Sequence, residues 1–344
     1  MAAPASLSSA DKPRTLRLHL WWTMVLVLAS LGGAGLAVAA DRPGNPVQRP
    51  ELTYRADMAA QPWVDHLFGD LGAVRDDGTE LSSNGRDVLG SLSSLDLDGA
   101  NAALARGDQT SAAIAMLING LHDTVSRAHG AVDMWRLGPL WADVFNQIDA
   151  AIAAADQLPA DWAAISATGR PVTGVVDALN AHDQAVFQAT AAGREGRWAD
   201  AIALLNGAAA DALAIATGAR DQLAAVAPVE TLDDLLGRER AYDAALAGLY
   251  QFLANGGSQS GDQFVALKAQ VDTTQAALPS DNGALVVIVG EAAGLPIADQ
   301  LLAMERAHGT INDALEAIAD AKNGGPTSDG TPDETPLPGE SAAP

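Results

Sequence analysis

Cysteine is absent from the 344 residues, which excludes disulfides, thiolate metal sites, a cysteine nucleophile and a lipid-modified N-terminal cysteine. Stability must therefore come from packing. Lysine is scarce as well: Lys12, Lys268 and Lys322 stand beside seventeen arginines, a bias that matches a GC-rich bacterial coding sequence and carries no functional weight. Positive charge as a whole is outnumbered, with 20 Lys and Arg against 43 Asp and Glu and a net charge of −23. Such a field repels phosphate backbones and anionic lipid, so nucleic acid is not an expected partner, and it would instead attract cations, basic proteins or basic wall components. Its simplest role is to keep an alanine-rich surface soluble. The strong catalytic signatures are missing too. There is no Gly-x-Ser-x-Gly elbow, no His-Glu-x-x-His, and no Walker or dinucleotide glycine pattern, so neither enzymatic activity nor a cofactor is expected.

What is present begins with one long apolar run, Leu20 to Ala40, 21 residues without a charge. As a helix it would be about 31 Å long, the thickness of the hydrocarbon core of a bilayer. Lys12, Arg14 and Arg17 precede it against Asp11 alone, so the positive-inside bias predicts residues 1–19 in the cytoplasm and the bulk of the chain outside it. Trp21 and Trp22 fall where an interfacial aromatic belt would be. The run ends in Ala37-Val38-Ala39-Ala40, which also suits a signal peptidase; cleavage near Asp41 would give a secreted product. The run exceeds the usual signal-peptide core, which favours a retained, single-pass anchor. Small residues at four-residue spacing (Ala29, Gly33, Ala37) permit close helix approach but are equally the composition of a cleavage region.

Residues 41–55 hold Pro43, Pro46 and Pro50 and read as a stalk. Residues 323–344 hold five prolines, four acidic residues and one large apolar residue, Leu337, and read as a disordered acidic tail. Between them apolar residues recur at spacings of three and four, while β-branched and aromatic runs are nearly absent. The expected fold is all-α: an extracytoplasmic helical bundle or a set of antiparallel helical hairpins, divided into subdomains 56–160 and 161–322. Helices are expected at about 57–75, 80–106, 109–133, 138–157, 172–192, 197–225, 231–255, 261–277, 281–294 and 297–321, with glycine and proline marking the joints. Leu285-Val286-Val287-Ile288-Val289 has strand-like composition, but no second strand exists to pair with it, so a helix is the better reading.

Two joints look alike: Leu104-Ala105-Arg106-Gly107-Asp108, and Gly193-Arg194-Glu195-Gly196-Arg197-Trp198 leading to Ala201-Ile202. The second is similar to the turn of a tetratricopeptide repeat, where glycine ends one helix and an aromatic followed by a small residue packs the next against it. The likeness covers about 25 residues once, without the 34-residue period, and implies only a helical hairpin.

A looser echo places an aromatic ring after alanine at His129, His182, Tyr242 and His308, each with an apolar or small residue three positions on. These four are the candidate ligand residues: on one face they would line a polar pocket inside a bundle, and unrelated they would be four separately satisfied rings. Glu305 and His308 form Glu-x-x-His, the spacing of di-iron bundles, but the motif occurs once, so no metal site is expected. His66 with Asp70 and His129 with Asp133 suit surface pairing. Trp63, Trp135, Trp141, Trp162 and Trp198 are the large anchors of a small-residue core. The expectation is a membrane-anchored extracytoplasmic helical protein that binds or scaffolds protein partners at the cell surface; the alternative is a ligand sensor or solute-binding bundle.

Overall fold

Abundant alanine, the best helix former, and apolar residues at helical spacing leave the chain no competitive alternative to helix. The computed structural model describes residues 50–279 and 282–324, and among them every regular element is helical. In chain order these are α1 (Pro50–Ser93), α2 (Leu97–Ala131), a 3₁₀ turn (Met134–Arg136), α3 (Pro139–Ala155), α4 (Leu158–Arg194), α5 (Trp198–Leu204), a π turn (Leu205–Ala209), α6 (Ala210–Leu223), α7 (Glu230–Ala254), α8 (Asp262–Ala276), α9 (Asn282–Val289), a second π turn (Gly290–Gly294) and α10 (Leu295–Lys322). The segment 285–289 is helical. The expected membrane span 20–40, the cytoplasmic segment 1–19 and nearly all of the acidic tail lie outside the described residues. Two described stretches, Trp198–Leu223 and Gly283–Lys322, are long and apolar enough by length and composition to cross a bilayer, a property they share with core helices of alanine-rich proteins.

Several expected joints are not joints. α1 opens at Pro50, with Glu51 in its first turn, so the last six residues of the expected stalk are helical; proline at the first helical position gives up no hydrogen bond, and the acid meets the positive end of the helix dipole. α1 then runs through Gly78, and α2 through Gly107. Pro159 lies in the first turn of α4 and Pro171 lies inside it. An internal proline costs about 3 kcal/mol, and the loss at Pro171 is offset by burial of Pro171, Val172, Val175 and Val176. The true α1–α2 turn is at Leu95, which takes a left-handed φ of 56°. Asp96 then caps α2, its Oδ1 accepting the Gly99 N–H at 3.0 Å.

By contacts the described residues group into two compact units, one of residues 50–67, 124–146 and 317–324, the other drawn from 68–123 and 147–316. In the first, Asp57 Oδ1 accepts the Gly138 N–H at 2.8 Å, Lys322 pairs with Asp65 at 2.7 Å, and the Arg127 guanidinium lies 6.0 Å from the Trp63 ring centroid. In the second, α4 lies against α5, the first π turn and α6, while α7 packs on α5 and α8. The α4–α5 connection is the hairpin that the sequence suggests. Gly196 takes a φ of +76°, and the Arg197 N–H returns to the Ala192 carbonyl at 2.9 Å. Trp198 then stacks on Tyr250 with centroids 5.9 Å apart.

Glycine 107 serves a different purpose from Gly196. A Cβ there would lie 1.9 Å from the Trp162 ring, so its missing side chain is the seat of the indole. The indole N–H donates to Asp108 Oδ1 at 2.9 Å, and Arg170 pairs with the other oxygen of the same carboxylate. We expect Gly107→Ala to lower the urea midpoint by the equivalent of about 2–3 kcal/mol through overpacking. Gly90→Ala, at an exposed helical site with nothing within 4 Å of the added Cβ, should raise it by about 0.5–1 kcal/mol. Equal effects at the two positions would contradict this account of Gly107.

Candidate functional site

His182 sits on α4 with Ala178, Leu179 and Ala185, all buried, on the same stripe. Leu235, Leu236, Glu239, Tyr242, Ala245 and Leu246 form the inward stripe of α7, so helical periodicity carries one carboxylate into an apolar seam. His182 is 1% exposed. Its Nε2 lies 2.9 Å from Asp243 Oδ2, a charge-assisted hydrogen bond. Its Nδ1 is buried without a hydrogen-bond partner: Asp183 Oδ1 stands 3.6 Å away and Glu239 Oε2 3.9 Å away, both beyond hydrogen-bond reach. One imidazole is therefore surrounded by three carboxylates.

The electrostatics follow from this crowding. Burial alone would discharge His182, but the carboxylates of Asp183 and Asp243, with the charge of Glu239, outweigh it and raise its pKa to about 9. Burial pushes Glu239 up to about 7, with the charges of Asp183 and Asp243 adding to the shift and that of His182 opposing it. Burial also lifts the Tyr242 phenol above its ordinary 10, helped by Tyr250, Asp243 and Glu239.

These groups open onto a cavity of about 380 Å³ whose polar wall is His182, Asp183, Glu239 and Tyr242, and whose apolar wall includes Leu179, Phe187, Leu235 and Leu278. Asp183 is the accessible member, with its side chain 76% exposed, whereas the Glu239 side chain is 11% exposed. On the other flank of α7, Asp243 lines a groove with Arg240, Thr217 and Asn206 of the first π turn.

Of the four rings singled out in the sequence, His182 and Tyr242 share this cavity. His129 belongs to the other unit; it is exposed and lies 5.9 Å from the Phe145 ring. His308 lies 3.0 Å from Thr79 Oγ1 through Nε2 and 3.1 Å from the Asn312 amide nitrogen through Nδ1. Glu305 is held by Arg86, so the single Glu-x-x-His is committed to protein partners. The residues that sequence reasoning passed over are Asp183, Glu239 and Asp243. Glu239 had a usable signal: it interrupts the apolar stripe Leu235, Leu236, Tyr242, Ala245. Asp183 had none, being simply the neighbour of His182. No protein-family model, curated protein or solved structure matches the chain.

The site sets a pH dependence whose sign is fixed. His182 has its folded pKa raised from 6.5 to about 9, so its contribution is complete below 6.5 and is lost as pH rises through 9. Glu239, raised from 4.5 to about 7, adds a loss of the same sign between those values. In the presence of a chelator the melting temperature should fall between pH 6.5 and 9, by the equivalent of roughly 3 kcal/mol. His182→Gln should flatten that span. A melting temperature that rises over it would refute the electrostatic account.

Proposed function

We propose that this chain is an extracytoplasmic, non-catalytic binding protein that takes a small cationic ligand in the cavity of His182, Asp183, Glu239 and Tyr242, its helical body held at the membrane by Leu20 to Ala40. The observation that carries this reading is the convergence of three carboxylates on one buried imidazole beside an open cavity. Cavities of this order suit small ligands: an apolar wall supplies contact area and a few polar groups fix orientation. The acidity of the chain supports a cation by raising its local concentration. Export and tethering rest on the apolar run and its basic flank, and a retained anchor makes the protein a surface sensor or capture device.

Surface scaffolding of a protein partner has one observation of its own. Trp135, in the 3₁₀ turn, is 72% exposed, and an exposed tryptophan is a common anchor for a partner.

The binding reading is tested on the full chain in detergent, by following the melting temperature against polyamines, quaternary ammonium compounds and divalent metal salts, with matched anions as controls. At least one cation should raise it by several degrees in a dose-dependent way, anions should not, and Glu239→Gln should remove the effect. No response to any cation, or a response that survives Glu239→Gln, would overturn the reading. For the tether, mass spectrometry of the N-terminus should find the intact leader in the membrane fraction; an N-terminus near Asp41 in the culture supernatant would replace the anchored protein with a secreted one.

A further inference from the structure

We infer that His182 Nδ1, Asp183 and Glu239 form a binding site for a divalent transition-metal ion of the zinc type, open on its fourth side to the cavity. This rests on the binding reading above and names its ligand. The donor atoms of the three residues lie within 4.8 Å of one another. Zinc bound at about 2.0–2.2 Å to nitrogen and oxygen holds a tetrahedral pair of donors about 3.4 Å apart. Nδ1 stands 3.6 Å from Asp183 and 3.9 Å from Glu239, so small side-chain rotations close these two gaps.

The independent sign of a ligand is the imidazole itself. Its Nδ1 is fully buried, has no hydrogen-bond partner and faces two carboxylates. Meanwhile Asp243 holds Nε2 at 2.9 Å, the arrangement in which a carboxylate behind a histidine fixes its tautomer and aims the other nitrogen at a metal. The donor set also selects among ions. One imidazole with two carboxylates and no sulfur suits zinc and its neighbours, whereas calcium and magnesium prefer oxygen alone. Entry is provided by Asp183, which stands at the rim, while Glu239 waits inside; the ion would meet an exposed carboxylate first and exchange water for the buried donors as it moves in.

The test uses the full-length protein in detergent, stripped with a chelator and titrated with Zn²⁺ against a chromophoric competitor. Co²⁺ substitution provides a spectroscopic readout of the ligand field. We expect one ion per chain with micromolar or tighter affinity and visible Co²⁺ bands of a low-coordinate site. Asp183→Asn should weaken binding at least tenfold; at an exposed position it leaves the fold intact. His182→Gln should abolish binding and the bands, and Glu305→Gln should change neither. Absence of stoichiometric binding, or binding indifferent to both Asp183→Asn and His182→Gln, would overturn the metal site. If Zn²⁺ does not bind but an organic cation still raises the melting temperature in a Glu239-dependent way, the metal inference falls and the binding reading stands. If no cation binds at all, both fall.

Discussion

Close approach of helices is the constraint on which the rest of the structure depends. Without disulfides and with few aromatics, the chain has to gain its stability from contacts between alanine, leucine and valine side chains, which become dense only where helix backbones come near one another. The core cluster shows the pattern, with Ala189, Ala192, Ala201 and Ala245 packed among Leu205, Leu246, Leu249 and Leu253. Two of the large rings are accommodated by glycines opposite them. Gly107 faces Trp162, and Gly193 faces Tyr250, whose ring would lie 2.5 Å from an added Cβ. Each such pair converts a large aromatic surface into interlocking contact between two helices.

This manner of packing determines what a polar side chain meets when it enters the core. Small residues leave little room for water, so a histidine placed on the α4 seam must find its partners on the facing helix. His182 finds Asp243 and Glu239 on α7, and Asp183 beside it on its own helix. The low local dielectric strengthens these attractions and at the same time makes every unmatched charge costly. The raised values of both His182 and Glu239 are two expressions of that single fact: the cluster holds protons more tightly than water would.

Helical class was legible in the sequence because three-and-four spacing and alanine content act along the whole chain. Helix ends were less so, and the two similar joints explain why. Gly107 and Gly196 each stand between charged residues of opposite sign, but the first is bound to Trp162 by a contact 55 residues away in sequence, while the second takes the left-handed turn that its own backbone requires. Propensity reports the second kind of glycine and not the first. Pro171 was misleading for the same reason, since burial of its neighbours outweighs a local penalty. At the site, the alanine-ring echo found His182 and Tyr242 because they occupy inward helical positions, yet it also gathered His129, which is exposed. The carboxylates went unread because their significance is a tertiary one: an acidic residue reveals itself as buried only against the facing helix.

The cost of the cluster is itself informative. A buried ionic group can often be replaced by apolar side chains of similar volume with no loss, and sometimes a gain, of stability. Leucines at 182, 239 and 243 would extend the stripes already formed by Leu179, Leu235 and Leu246 and would suit this packing better than three titratable groups. The apolar seam instead breaks where α4 and α7 border an open cavity, and it breaks with an imidazole whose outer nitrogen has no hydrogen-bond partner. Local departures from the packing rule of a fold are expected where the protein does its work. Here the departure consists of negative charge gathered around one oriented nitrogen, a charge that a proton on that nitrogen balances in the free protein and that a cation displacing the proton would balance in its place.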